Sequence, residues 1–135
     1  MLKFYFKILL LFLSLSLLGC VKDDKGIIIS FYNFPNPFHP KTESTKFRAV
    51  FDTTGISAFS WKLVIYAEDS STVYEANGEV SVVSSPFDIV WTGRDNRGNV
   101  VKKGIYRSYL TIKITKTTLG YSGDTYVTDC YTVVK

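Results

Sequence analysis

The sequence predicts an all-β fold, an antiparallel β-sandwich of about seven strands behind a cleaved leader. Three observations carry that expectation. Tyr, Phe, Val, Ile and Thr crowd the region after residue 26, and such side chains suit a pleated, half-buried surface. Apolar and polar residues alternate there with the two-residue period of a strand. Turn residues interrupt the runs about every ten positions, and no stretch shows the helical period of an amphipathic surface.

The elements follow in order. Ile27 to Tyr32 is the first apolar run. Asn33 to Pro40 breaks it with Pro35, Pro37 and Pro40, which lock φ and cannot donate to a ladder. This segment is expected to cross between the sheets as a rigid corner, pinned to the core by Phe34 and Phe38. Lys46 to Asp52 alternates, with Phe47, Ala49 and Phe51 on one face, and D-T-T-G (52–55) turns the chain. Ser60 to Ala67 groups Trp61, Leu63, Ile65 and Ala67. Val73 to Val83 is less regular, and Asn77-Gly78 within it reads as a hairpin turn. Pro86 opens a short strand that aligns Phe87, Ile89 and Trp91, and R-D-N-R-G-N (94–99) is a polar loop. Ile105 to Thr115 puts Tyr106, Leu110, Ile112 and Ile114 on one face. Leu119 to Asp124, with Gly120 and Gly123, turns into a last strand from Tyr126 to Val134. This count of strands in about 110 residues fits an immunoglobulin-like sandwich, although the cysteine pair of antibody domains is missing.

Met1 to Gly19 has the parts of an export signal. Lys3 and Lys7 make the positive start, and Ile8 to Leu18 is an uncharged run of 11 residues interrupted only by Ser14 and Ser16. That is well short of the roughly 20 apolar residues a spanning helix needs. The run closes on Leu17-Leu18-Gly19-Cys20, which resembles the lipobox of bacterial lipoproteins. The resemblance implies cleavage after Gly19 and lipid attachment at Cys20, with two or three acyl chains giving a stable anchor where one would not. The expected organisation is a signal peptide over residues 1–19, a lipidated cysteine with a short charged tether over 20–26, and one immunoglobulin-like domain over 27–135. Removing nineteen of 135 residues leaves 116, enough for one domain with a core. Loss of Lys3 and Lys7 takes the formal charge from +4 to +2. No basic block remains that would grip nucleic acid, and Lys102-Lys103 reads as a solvated turn.

Two stretches resemble one family. Y-N-F-P-N-P-F-H-P (32–40) is similar to the Y-P-N-P-F-N-P opening of immunoglobulin-like domains related to the flagellar hook-capping protein. The same opening marks the C-terminal sorting domains of type IX secretion cargo. W-T-G-R-D-N-R-G-N-V-V-K-K-G-I-Y (91–106) resembles that family's second motif, and L-V-I-Y-A (63–67) resembles its intervening strand. The resemblance spans roughly residues 30–135. Thr92 and His39 depart from it, standing where the family usually has Asp and Asn.

Chemistry-bearing patterns are sparse. His39 is the only histidine, which excludes a multi-histidine metal site and reads as a turn residue rather than a general base. G-Y-S-G (120–123) lacks the spacing of a nucleophile elbow. D-N-R-G-N offers one carboxylate, Asp95, where calcium takes six to eight oxygens; Asp88 or Asp124 would have to join it. With Cys20 lipidated, Cys130 is expected to be a small strand residue without an intrachain disulfide.

The expected protein is therefore a non-enzymatic lipoprotein of the bacterial cell envelope, needing no cofactor or metal. It is held in a membrane through Cys20, with the outer membrane favoured because Val21 is not the Asp of an inner-membrane retention signal. It would act as an assembly, scaffold or adhesion module on an envelope protein partner. Outward Tyr66 and Tyr109 offer a contact face. The alternative is a carbohydrate- or peptidoglycan-binding module, which requires two or three aromatics on one exposed face beside polar groups.

Overall fold

The computed structural model describes residues 27–120 and 123–135. The signal peptide, Cys20 and the tether lie outside the described residues. Seven strands follow one another: β1 (Ile28–Phe34), β2 (Thr45–Phe51), β3 (Ile56–Tyr66), β4 (Thr72–Val80), β5 (Phe87–Trp91), β6 (Gly104–Thr117) and β7 (Thr125–Val134). They form two antiparallel sheets, β1-β2-β5 and β4-β3-β6-β7. An all-β sandwich of seven strands is what the alternation predicts. Relative to the constant-type immunoglobulin order, the fourth strand has left the sheet of strands one, two and five and joined the other.

The predicted core faces meet between the sheets. Phe47, Ala49 and Phe51 of β2, Ile89 and Trp91 of β5, and Leu110, Ile112 and Ile114 of β6 are all buried. Trp91 is the hub, with Phe38 and Tyr106 edge-on and Phe47 and Tyr74 tilted against its ring, all with centroids within 6.4 Å. Its indole Nε1 donates to the Arg94 carbonyl, so the polar edge of a buried ring is satisfied. The Tyr106 hydroxyl donates to the Lys102 carbonyl four residues upstream, the corner characteristic of immunoglobulin-like folds. Ser108 stands two residues later, where antibody domains place their second cysteine, and is fully buried.

The proline-rich segment does cross between the sheets. After β1 it reaches β7, where Phe38 bridges Val134 in parallel. Phe38 N–H donates to the Val133 carbonyl and Lys135 N–H to the Phe38 carbonyl. Asn36 adds a side-chain clamp, donating to the Tyr131 carbonyl and accepting from Val133 N–H. The edge of β7 is thereby covered, which is how sheets avoid open ladders. Phe38 packs edge-on against Trp91 at 5.7 Å, and Pro40 sits against the positive-φ Gly93 (φ +73). The two sequence motifs are therefore one packed corner. Phe34 departs from expectation. Asn33 takes the inward position and bonds Thr45, so the alternation sends Phe34 outward, under Arg48 at 5.0 Å.

Asn77-Gly78 is not a hairpin turn. Strand β4 runs straight through it, with Asn77 opposite Lys62 and Gly78 opposite Trp61. The glycine is there because the Trp61 indole lies on it. A Cβ at Gly78 would meet the ring nitrogen at 2.9 Å. Trp61 in turn packs on Phe87 at 5.7 Å, closing the side of the sandwich between β4 and β5. Beyond it, Asn96 of the 94–99 loop accepts from Glu75 N–H and donates to the Glu75 carbonyl, mimicking one residue of a further strand on the β4 edge. Asp95 holds that loop by accepting from Arg97 and Asn99 N–H, as an Asx turn does.

Candidate functional site

An odd number of antiparallel strands separates the poles of the sandwich. Residue 27 lies at one pole, where its carbonyl accepts from Asp52 N–H and where β3 begins. The opposite pole gathers the end of β3, the start of β6 and the end of β7. Strand rise of about 3.3 Å per residue puts the poles on the order of 30 Å apart.

At that far pole the outward face of the four-stranded sheet opens into a cleft of about 630 Å³, lined by Tyr66, Ala67, Glu68, Ser70, Ile105, Arg107, Tyr109 and Tyr131. Register builds it. Tyr66 pairs with Arg107 across β3 and β6, and Arg107 pairs with Tyr131 across β6 and β7. Because Ile65, Tyr106 and Thr132 point to the core, the two-residue period turns this row outward. The Arg107 guanidinium lies over Tyr109 at 4.9 Å and Tyr131 at 5.4 Å, and Tyr66 meets Tyr109 edge-on at 5.7 Å. Such cation–π and edge contacts hold the side chains in fixed planes. Asp129 accepts from Arg107 Nε at 2.9 Å and holds the guanidinium pKa above its ordinary value.

Polar groups rim the cleft. Glu68 uses Oε1 to accept from Ile105 N–H at 3.1 Å. Ser70 occupies the left-handed region at φ 67, a conformation in which glycine would carry no steric penalty. The turn is fixed by Asp69, whose Oδ1 accepts from the Ser71 backbone and hydroxyl, and those bonds lower its pKa. Tyr131 is the most open aromatic of the cleft, at 56% exposure. Of the predicted contact residues, Tyr66 and Tyr109 are both in this cleft. Arg107 shares the outward face of Tyr109 on β6, Tyr131 is added by the β6–β7 pairing, and Glu68 and Ser70 come from the turn between β3 and β4.

The other candidates fall elsewhere. His39 is exposed in the 39–42 turn, where its backbone N–H donates to Glu43. Asp88 is engaged by Arg48 in a two-pronged pair at 2.8 Å on the opposite sheet, and Asp95 is occupied by its own loop. Among the described residues no three His, Cys, Asp or Glu side chains gather into a metal-binding group. Cys130 faces inward on β7, half-buried, and has no partner cysteine among the described residues. Desolvation, with Asp129 adding repulsion, pushes its thiol up to about 12, the opposite of an activated nucleophile. No helix among the described residues is long and apolar enough to cross a membrane. No protein-family model matches the chain, and no curated protein matches it.

Proposed function

We propose that this protein is a membrane-anchored, non-enzymatic contact module of the bacterial cell envelope, tethered through Cys20 and engaging its partner with the Tyr66–Arg107–Tyr131 cleft. The observation that carries the reading is the position of that cleft. It lies at the pole remote from residue 27, so a lipid at Cys20 would leave it facing away from the bilayer. Its composition suits recognition, since tyrosine and arginine are enriched where binding energy concentrates. Its one lining cation, Arg107, is paired with Asp129, an arrangement suited to holding a ligand. The resemblance to hook-capping and sorting domains agrees with a contact role; most of the residues carrying it form the scaffold corner, while Tyr66, Ala67 and Ile105 also line the cleft.

The test combines fractionation with site-specific photocrosslinking in cells. Cys20→Ser should move the protein from membranes to the soluble fraction. A photoreactive residue at Tyr131 should capture an envelope component that one at Tyr32, on the other sheet, does not. Unchanged membrane retention of Cys20→Ser refutes the anchor. Equal capture at both positions refutes the cleft as the contact face.

A further inference from the structure

We infer that the cleft binds an uncharged saccharide chain, a reading that rests on the proposed contact role and names its partner class. Three properties of the cleft point to that chemistry. The first is the floor. Tyr66 meets Tyr109 edge-on and Arg107 lies over Tyr109 and Tyr131, so the rings are partly ordered before a ligand arrives while Tyr131 keeps exposed ring surface. A pyranose has an apolar C–H face that needs such a surface, while its rim of hydroxyls must stay hydrogen-bonded.

The second is the mixture of donors and acceptors around that floor. The Arg107–Asp129 bond engages Nε and Oδ2, leaving the terminal amino groups of the guanidinium and the second carboxylate oxygen. Glu68 spends only Oε1 on Ile105, and Ser70 adds a hydroxyl-bearing residue to the lining. Sugar hydroxyls donate and accept at once, and a planar guanidinium beside carboxylates answers both needs.

The third is charge. The lining holds one acid, Glu68, and one base, Arg107; Asp129 beside Arg107 offsets the guanidinium, and Asp69 in the adjoining turn is itself opposed by Lys102. With its one lining cation paired to Asp129, the cleft offers no surplus positive charge to favour an anionic sugar, phosphate or carboxylate over a neutral one. A flat protein partner suits the site less because Glu68 and Asp129 stand beside the rings, and protein interfaces, though rich in Tyr and Arg, are depleted in Glu and Asp.

Titration of the purified full chain in detergent against neutral oligosaccharide probes tests this, using cellotetraose and chitotetraose, with tetragalacturonate as the anionic comparison and tyrosine fluorescence or NMR as the readout. At least one neutral probe should bind in preference to tetragalacturonate. Tyr131→Ala should weaken binding by about tenfold or more, the cost of losing one ring's apolar contact. Arg107→Lys should weaken it by a smaller factor while preserving charge, and Tyr32→Ala should leave it unchanged. Preference for tetragalacturonate, or binding indifferent to Tyr131→Ala, overturns the inference. So does failure of both neutral probes to bind when the crosslinker at Tyr131 captures a protein; in that case the contact role survives and the saccharide does not. If neither a saccharide nor a protein depends on the cleft, both readings fall.

Discussion

Replacing Gly93 with Ala tests the corner that joins the two sequence motifs. Gly93 is buried at φ +73, and a Cβ built there would stand 2.3 Å from Pro40 Cβ and 3.2 Å from the Phe38 ring. Two penalties apply. A left-handed backbone costs a residue with a side chain about 1–2 kcal/mol. Forcing extra volume into a closed site costs about 1–3 kcal/mol more, and neither Pro40 nor fully buried Phe38 can swing away freely. The combined loss of about 2–5 kcal/mol is a large share of the roughly 5–15 kcal/mol that holds a domain together. Gly98 separates the two terms. It has φ +87 but nothing within 4 Å of a built Cβ, so Gly98→Ala should show the backbone cost alone. Urea unfolding followed by tryptophan emission reports directly, because Trp91 packs on Phe38. Gly93→Ala should exceed Gly98→Ala by about 1–3 kcal/mol. Equal losses would refute the claim that the P-N-P-F-H-P segment is seated tightly on the W-T-G turn.

Thr132 is fully buried and its hydroxyl has no hydrogen-bond partner, so Thr132→Val should be neutral or raise stability by up to about 1–3 kcal/mol in thermal unfolding, where an ordinary buried hydroxyl would lose on such a change. Arg48, through its hydrogen bonds, lowers the Asp88 pKa. The folded pKa thus lies below the unfolded value of about 3.9, the pair's contribution is full above that value, and it disappears as pH falls through the folded pKa. Asp88→Asn should therefore flatten that part of the stability–pH curve, with an effect below about 1 kcal/mol for so exposed a pair. Native Cys130 should react with iodoacetamide at pH 8 at least about a hundredfold more slowly than the urea-unfolded chain, because burial suppresses its thiolate; equal rates would show that β7 opens readily.

Strands were legible in the sequence wherever one face is buried, because the two-residue period then writes itself into the residue types. Phe47-Ala49-Phe51 and Leu110-Ile112-Ile114 are such cases. Gly78 was misleading because its reason is a partner seventeen positions away, Trp61 on the neighbouring strand. The local dipeptide Asn77-Gly78 carries the same letters as a turn. The capping of β7 by Asn36 and of β4 by Asn96 was hidden for the same reason. Half of the cleft was legible, since Tyr66 and Tyr109 face outward by alternation. Arg107 lies on the same outward face of β6 as Tyr109, whereas Tyr131 joins them only through the β6–β7 register, which depends on where that turn falls.

The placement of residue 27 at one pole and the cleft at the other has a mechanical meaning. A molecule held at its N-terminal end and pulled by something seated among Tyr66, Arg107 and Tyr131 is loaded along its strands. Antiparallel ladder hydrogen bonds lie across that direction. The β1–β2 ladder, with pairs from Ile28–Phe51 to Phe34–Lys46, would be sheared as a set rather than unzipped one bond at a time. The Asn36 and Phe38 clamps onto β7 tie the other end of β1 to the sheet bearing the load. Tension would therefore pass through the whole sandwich before any single strand could peel away.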